Sequence, residues 1–585
     1  MHSRTPSLNL AALPDDLLFE VTSCLSSRTD ILNLALSSKY LFTSTCSALY
    51  AQVHLGTAEQ CQRTLSMLRS RPDVARHIQK LHVRFSSASS DYMVDVNGIT
   101  ISALLRELAP KLDALHTFIW DADEIPQCDD MWFALRMSCP RLRTLGTCYG
   151  SVIPSQRSHL LEFKNLRGFS LSLKYGYYAH HTDDFQDAVP FDVRLWDMLI
   201  RRSPNLEELH VLGGPLILDG TVHPLCNARW PLLHSLSLGD VMLDWSSGPG
   251  PMSSKRPFIA FLEAHQRLRS LRISRTALSP HVVPSLDQSA LPLLTHFTGS
   301  LEHLQALAPS HPQITHLTIE EPLIIRDLAP LLIAGVLQSL RCLTELRVAF
   351  VFHSSYESAN LIRNLVSTCP GLTTLEITCA RRSSFKVVCS FLIAACILRS
   401  LIMISQDTLA KSVSYLPRLR HLRLTLVPVA TGDSLRVCAL HVIQAIPRLH
   451  SFALTFISAS LPLSLTPVDF GMYEESGNYV VRADEHGLPH SLSCTERRPA
   501  LRLPFTLPII PIPLAVPLLT ISPFTSPSPR ERKMRTQRFL LNLYPITPRH
   551  GGLGLILERS TAGDEARVLT VLVALSGLAL WGFFA

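Results

Sequence analysis

Charge is scarce in this 585-residue chain. Charged side chains make up 17% of it, below the roughly 25% of an ordinary soluble domain. The surplus of cations is only +7, too dilute for a nucleic-acid-binding protein, so none is expected as a partner. There are fourteen cysteines but no C-x-x-C pair, which argues against both a zinc module and a disulfide framework. No asparagine opens an N-x-Ser/Thr acceptor. The start, MHSRTPSLNLAALPDD, lacks the apolar run of about 7–15 residues that a secretory signal needs. A cytoplasmic or nuclear protein is therefore expected. The nucleotide, serine-hydrolase and zinc-protease signatures are missing as well. With no catalytic, cofactor or metal constellation to propose, a protein that is not an enzyme is expected.

What the chain has is apolar residues, 47% of the total, with a mean hydropathy of +0.20. That is enough for a large core and excludes wholesale disorder. The length implies several domains or one long repeat array.

A phrase recurs from about residue 78 to 454: apolar, two variable, apolar, one variable, apolar. Clear copies are Ile78–Leu81–Val83, Leu115–Phe118–Trp120, Leu166–Phe169–Leu171, Leu206–Leu209–Val211, Leu233–Leu236–Leu238 and Leu268–Leu271–Ile273. It continues as Ile314–Leu317–Ile319, Leu343–Leu346–Val348, Leu372–Leu375–Ile377, Leu398–Leu401–Met403, Leu419–Leu422–Leu424 and Leu449–Phe452–Leu454. Weaker copies start at Leu142 and Leu294. The mean period is about 28 residues, and the spacings are irregular. The last two apolar positions lie two apart, as on one face of a strand. Proline stands two residues before the phrase at Pro140, Pro204, Pro370, Pro417 and Pro447, where it ends a preceding helix. Helix-length runs occupy 191–203, 357–369 and 433–446. A unit of helix, proline stop, strand and loop cannot bury its own apolar face, so neighbours must stack.

Over residues 75–460 this pattern resembles the leucine-rich repeat in its degenerate long-unit form. The family's Asn or Cys after the last apolar position is missing, with Gly214 and Ala380 standing there. In that array the residue between the last two apolar positions is expected to face solvent. Those residues include His210, Ser237, Arg272, Thr298, Thr318, Arg347, Glu376 and Arg423. His210, Arg272, Arg347, Glu376 and Arg423 are the candidate client-facing residues on a mildly basic face.

Residues 10–55 are organised differently. Leu13–Pro14–Asp15–Asp16 reads as a helix start, with acids suited to the dipole. Leu17, Leu18, Val21 and Leu25 follow at helical spacing. Asp30 can cap a second helix carrying Ile31, Leu34 and Leu36, and a third ends near Tyr50. Three helices in about 45 residues hold too small a core to stand without a partner. The order resembles the F-box, through Leu13, Pro14, Leu17, Leu18, Val21, Leu25, Asp30, Ile31, Leu34 and Leu36, with Lys39, Tyr40 and Phe42 as a basic-aromatic end. The family's usual Trp is absent. The resemblance implies docking on the SKP-type adaptor of a cullin–RING ubiquitin ligase, with the array binding a protein client. Of these residues, Leu13, Pro14, Leu17, Leu18, Val21, Leu25, Ile31, Leu34 and Leu36 are the expected adaptor contacts. The bland reading is a cap for the array, which terminal repeats require.

The fold class expected is therefore α/β: a three-helix F-box module, an irregular leucine-rich-repeat-like β/α solenoid, and a proline-rich, largely disordered tail. Residues 461–567 are expected to have low order, since 499–529 hold nine prolines in 31 positions. Residues 568–585 are uncharged and just long enough to cross a bilayer, which offers a tail-anchored scaffold as the alternative. The His180–His181–Thr182–Asp183–Asp184 cluster and Gly551–Gly552–Leu553–Gly554 read as loops.

Overall fold

A computed structural model describes residues 13–497 with interruptions, the longest at 178–192, 381–415 and 458–472, together with 540–542. The phrase at Leu398, the His180–Asp184 cluster, Gly214, Gly551–Gly554, the proline-rich stretch 499–529 and the apolar end 568–585 lie outside the described residues. The chain divides into two units, residues 1–320 with 339–343, and residues 321–338 with 344–585.

In the first unit, three helices lead directly into a parallel sheet. They are α1 (Asp15–Cys24), α2 (Arg28–Ser37) and α3 (Lys39–Tyr50). Then come β1 (Gln52–Leu55), β2 (Lys80–Arg84), β3 (Thr117–Asp121), β4 (Thr144–Tyr149), β5 (Gly168–Leu173) and β6 (Glu208–Leu212). The sheet continues through β8 (Ser235–Leu238), β10 (Ser270–Ile273), β11 (His296–Gly299) and β12 (His316–Ile324), of which residues 316–320 belong to this unit. Two-residue strands β7 (Leu216–Ile217) and β9 (Val241–Met242) pair only with each other. Every successive pair in the main sheet is parallel and in register.

Two devices build each rung. The first apolar residue of the phrase closes a turn by donating its N–H to the carbonyl three residues back. Leu142 does so to Cys139, Leu233 to Trp230, Leu268 to His265 and Ile314 to His311, at 3.1–3.3 Å. The next two N–H groups then share one carbonyl of the preceding rung. Arg143 and Thr144 donate to His116, Arg167 and Gly168 to Arg143, and Arg269 and Ser270 to His234, at 2.7–3.1 Å. The middle apolar residue is the sheet's buried row: Leu81, Phe118, Leu145, Phe169, Leu209, Leu236, Leu271, Phe297 and Leu317 sit side by side in register, all essentially inaccessible. No rung could bury that residue alone, which is why the array is cooperative between neighbours.

The second unit repeats the scheme with β13 (Glu345–Val351), β14 (Thr374–Ala380), β15 (His421–Leu426) and β16 (Ser451–Ile457), all parallel. Its buried row is Leu346, Leu375, Leu422 and Phe452. The described residues thus form the expected leucine-rich-repeat-like β/α array.

Two boundaries differ from expectation. The sheet begins at β1, inside residues 10–55, because the Ala51 carbonyl accepts from both Gln79 and Lys80 exactly as later rungs do. The expectation of low order over 461–567 does not hold for β17 (Tyr473–Ala483) and β18 (Pro489–Arg497), which add to β16 antiparallel. Tyr479 stacks on Phe452 with ring centroids 4.7 Å apart and covers the end of the apolar row. No proline interrupts Tyr473–Ala483, so the density at 499–529 says nothing about it.

Candidate docking surfaces

The helical module has its own small core. Leu18 and Thr22 of α1, Ala35 of α2, and Leu41, Thr45, Cys46 and Leu49 of α3 are buried. Asp15 ties the module together from the start of α1. Its carboxylate accepts from Tyr40 Oη at 3.1 Å and from Ser44 Oγ at 2.5 Å, both on α3. Tyr40 is thus partly committed to holding α1, and its hydroxyl also reaches the Leu13 carbonyl at 3.1 Å.

That arrangement sorts the residues named from the sequence. Leu18 is wholly buried between the helices, so it belongs to the module's own core. Leu13, Leu25, Ile31 and Leu34 are half-buried. Pro14, Leu17, Val21 and Leu36 are exposed, Leu17 at 51% and Leu36 at 72%. Leu17 and Val21 are one turn apart on α1, on the same face. On α2, Leu36 has Leu32 one turn before it, also exposed. Sequence reasoning passed over Leu32 and Phe19, which are both exposed. The i, i+4 spacing of Leu32 and Leu36 was the signal for the first, and nothing local marked the second. Exposed aliphatic side chains on so small a unit mark a surface that gains by being covered.

The strand face is the second candidate. His210, Ser237, Arg272, Thr298 and Thr318 occupy one row across β6 to β12, but Ser237, expected to face solvent, is buried there. Arg347, Glu376 and Arg423 occupy the corresponding row of the second unit. Burial, the largest cause, holds the His210 pKa below the ordinary histidine value. The arginines here are already matched. Arg272 pairs with Glu320. Glu376 takes Arg347 at 3.6 Å and Arg423 at 3.2 Å, and Arg347 also reaches Glu345 at 2.7 Å. At the other end of the first unit, Asp121 gathers Lys174 at 2.5 Å, Arg84 at 3.6 Å and His82 at 3.7 Å. Burial works against the charged carboxyl of Asp121, but hydrogen bonds from His82 and Lys174 and the charges of Lys174 and Arg84 outweigh it, so its pKa lies well below the usual range. These pairs match the cations Arg272, Arg347, Arg423, Lys174 and Arg84 with acids of the same face. Among the described residues no cluster of His, Cys, Asp and Glu could hold a metal ion, and no helix is long and apolar enough to cross a membrane.

No protein-family model and no curated protein matches the chain. Among solved structures it is similar to a chain of the yeast Rad7–Elc1 complex, with a TM-score of 0.34 and 11% identity over 66% of this chain and 98% of that one. It is similar to the leucine-rich repeat-containing protein LegL7 of Legionella pneumophila, with a TM-score of 0.28 and 12% identity over 60% and 96%. A third likeness is to a chain of the TLR13–ssRNA13 complex, with a TM-score of 0.22 and 14% identity over 62% of this chain and 44% of that one.

Proposed function

We propose that this chain is a non-enzymatic substrate receptor of an SCF-type cullin–RING ubiquitin ligase. The helical module docks the SKP-type adaptor and the repeat array holds a protein client. The observation that carries the reading is the exposure of Leu17, Val21, Leu32 and Leu36 on α1 and α2, outside a core that is already closed by Leu18, Ala35 and Leu41. A module serving only as a cap has no use for these side chains in water. The F-box resemblance of Leu13–Pro14 and the helical leucines says what kind of partner covers them. Function then consists in holding client and ligase together at high effective concentration, with the bond chemistry done by a separate enzyme.

The test is co-purification of the full chain with an SKP-type adaptor, beside a Leu17→Asp/Leu36→Asp variant. Both positions are exposed in the free chain, so the variant keeps its fold. In a complex the two carboxylates would be buried unpaired, costing several kcal/mol and on the order of a hundredfold in affinity. Capture by the wild type with loss in the variant is expected. A folded wild type that captures no adaptor would leave the three helices as a cap and sink the proposal.

A further inference from the structure

The strand-face arginines are matched by acids, but along the turn edge, where each rung enters its strand, Arg167 alone of those between β4 and β10 is. Arg141 and Arg143 precede β4, Lys164 precedes β5, and Arg267 and Arg269 precede β10. All five are exposed and have no ion pair or hydrogen-bonded acid among the described residues. Arg143 and Arg269 lie on one ladder, because the backbone at this position links the rungs: Arg167 donates to Arg143, Glu207 to Arg167, His234 to Glu207 and Arg269 to His234; Arg141, Lys164 and Arg267 stand two or three residues earlier in the turns of three of these rungs. Glu207 is the acid in that row, and it faces Arg167 at 3.4 Å.

The turn does not require arginine. The same position is Thr295, Thr315 or Thr373 on other rungs, and those hydroxyls donate to the preceding rung's carbonyl at 3.1–3.3 Å. The backbone does the structural work in either case. Exposed cations along one edge, without acids beside them, present a positive potential to an incoming anion. The second unit carries Arg418 and Arg448, both exposed, in the same kind of turn.

We propose that this turn edge, rather than the strand face, is where the array takes an acidic stretch of its protein client. This rests on the receptor reading and adds the partner's chemistry. Four rung steps separate β4 from β10, about 19 Å at the spacing of adjacent strands. An extended peptide of about six residues covers that distance. The single row of cations, interrupted by Glu207, suits discrete carboxylates or phosphorylated side chains. It suits a duplex poorly, since two continuous phosphate rows need a broad field. On the strand face an acidic client would have to displace Glu376, Glu320 or Asp121; on the edge it displaces only water and salt.

The full chain is titrated into a fluorescein-labelled peptide of alternating Glu and Ser, read by anisotropy at two salt concentrations. Wild type is expected to bind, and more weakly at high salt. Arg143→Glu/Arg269→Glu should weaken binding about tenfold or more. Arg63→Glu/Arg106→Glu makes the same change in net charge at two helical arginines already paired with Glu59 and Asp130, and should leave binding nearly unchanged. Equal loss in both variants, no binding by wild type, or displacement of the peptide by duplex DNA at lower concentration would each overturn the assignment. Adaptor capture is measured on the same proteins. Capture retained with peptide lost places the effect on the edge. Capture absent from wild type, with peptide binding intact, counts against the ligase reading and leaves the edge standing.

Discussion

His265 is a buried histidine whose neutral form is written into the backbone. It follows the helix Pro257–Ala264, and its Nε2 accepts the Trp230 N–H of the preceding rung at 3.1 Å. Its Nδ1 donates to the Phe261 carbonyl at 2.6 Å. A proton on Nε2 would set two donors against each other in a site that is 3% exposed. Burial accordingly pushes the pKa down, opposed by the hydrogen bond to Phe261 and aided by the charge of Arg229. The sign follows from linkage. Above the ordinary value of 6.5 the ring is neutral whether folded or unfolded, and pH has no effect through it. As pH falls below 6.5 the unfolded chain takes up a proton that the folded one refuses, so stability is lost until the lower folded pKa is passed. The limiting slope is about 1.4 kcal/mol per pH unit, close to tenfold in the opening equilibrium. The Trp230 amide reads this opening, being the donor concerned. Its hydrogen exchange in the full chain, corrected for intrinsic rate, should rise up to about tenfold from pH 7 to about pH 5.5. His265→Gln places a non-titrating amide oxygen near the Nε2 position, and should lower that rise. An identical pH response in wild type and His265→Gln would refute the reasoning. His303 and His311, also buried and with pKa values pushed down by burial, titrate in both proteins and form the common background.

Two further perturbations probe the ends of the first strands. Gly150→Ala would put a methyl group against the Asp123 carbonyl oxygen and the Glu124 carboxylate; with backbone as one wall, about 1–3 kcal/mol should be lost, seen as a lower urea midpoint. Asp121→Asn should cost about 1–3 kcal/mol by leaving Lys174 and Arg84 facing a neutral amide. Because the Asp121 pKa is depressed, that difference should be full above pH 3.8 and fade as pH falls below it.

The phrase spacing made the array legible because it is set by the rung itself. An apolar residue two past another must lie on one strand face, and a turn three residues earlier is fixed by a single N–H. Even the weak copies at Leu142 and Leu294 carry full strands, β4 and β11, since the shared carbonyl of the preceding rung needs no particular side chain. β1 escaped notice for another reason: Gln52–Leu55 follows α3 after one residue, with no proline before it, and its copy of the phrase, Tyr50–Val53–Leu55, begins on the last residue of that helix. The hairpin of β17 and β18 has a strand's alternation but not the repeat's, and its place was set by Phe452 waiting for Tyr479. In the helical module, Leu17 and Leu18 are indistinguishable by type and spacing. Which one is buried depends on where α3 lies, fixed by Tyr40 and Ser44 meeting Asp15. The pairing of Arg272 with Glu320 likewise needs the register of three strands before it can be seen.

That register also explains why the two surfaces of the array differ in what they can bind. Residues of the strand face sit in rows, with neighbours about 4.8 Å away on either side. One acid can therefore serve cations on both flanking rungs, as Glu376 does for Arg347 and Arg423. An incoming carboxylate gains little there, because it exchanges one exposed ion pair for another worth about 1 kcal/mol or less. On the turn edge the rows are interrupted by the turns, and the acid at Glu207 reaches only its own neighbour, Arg167. The cations before β4 and β10 are left with water alone, so a contact with an acidic partner there breaks no existing ion pair. A charge count over the whole chain could not separate the two surfaces, since both carry arginine; the difference lies in how far each acid can reach.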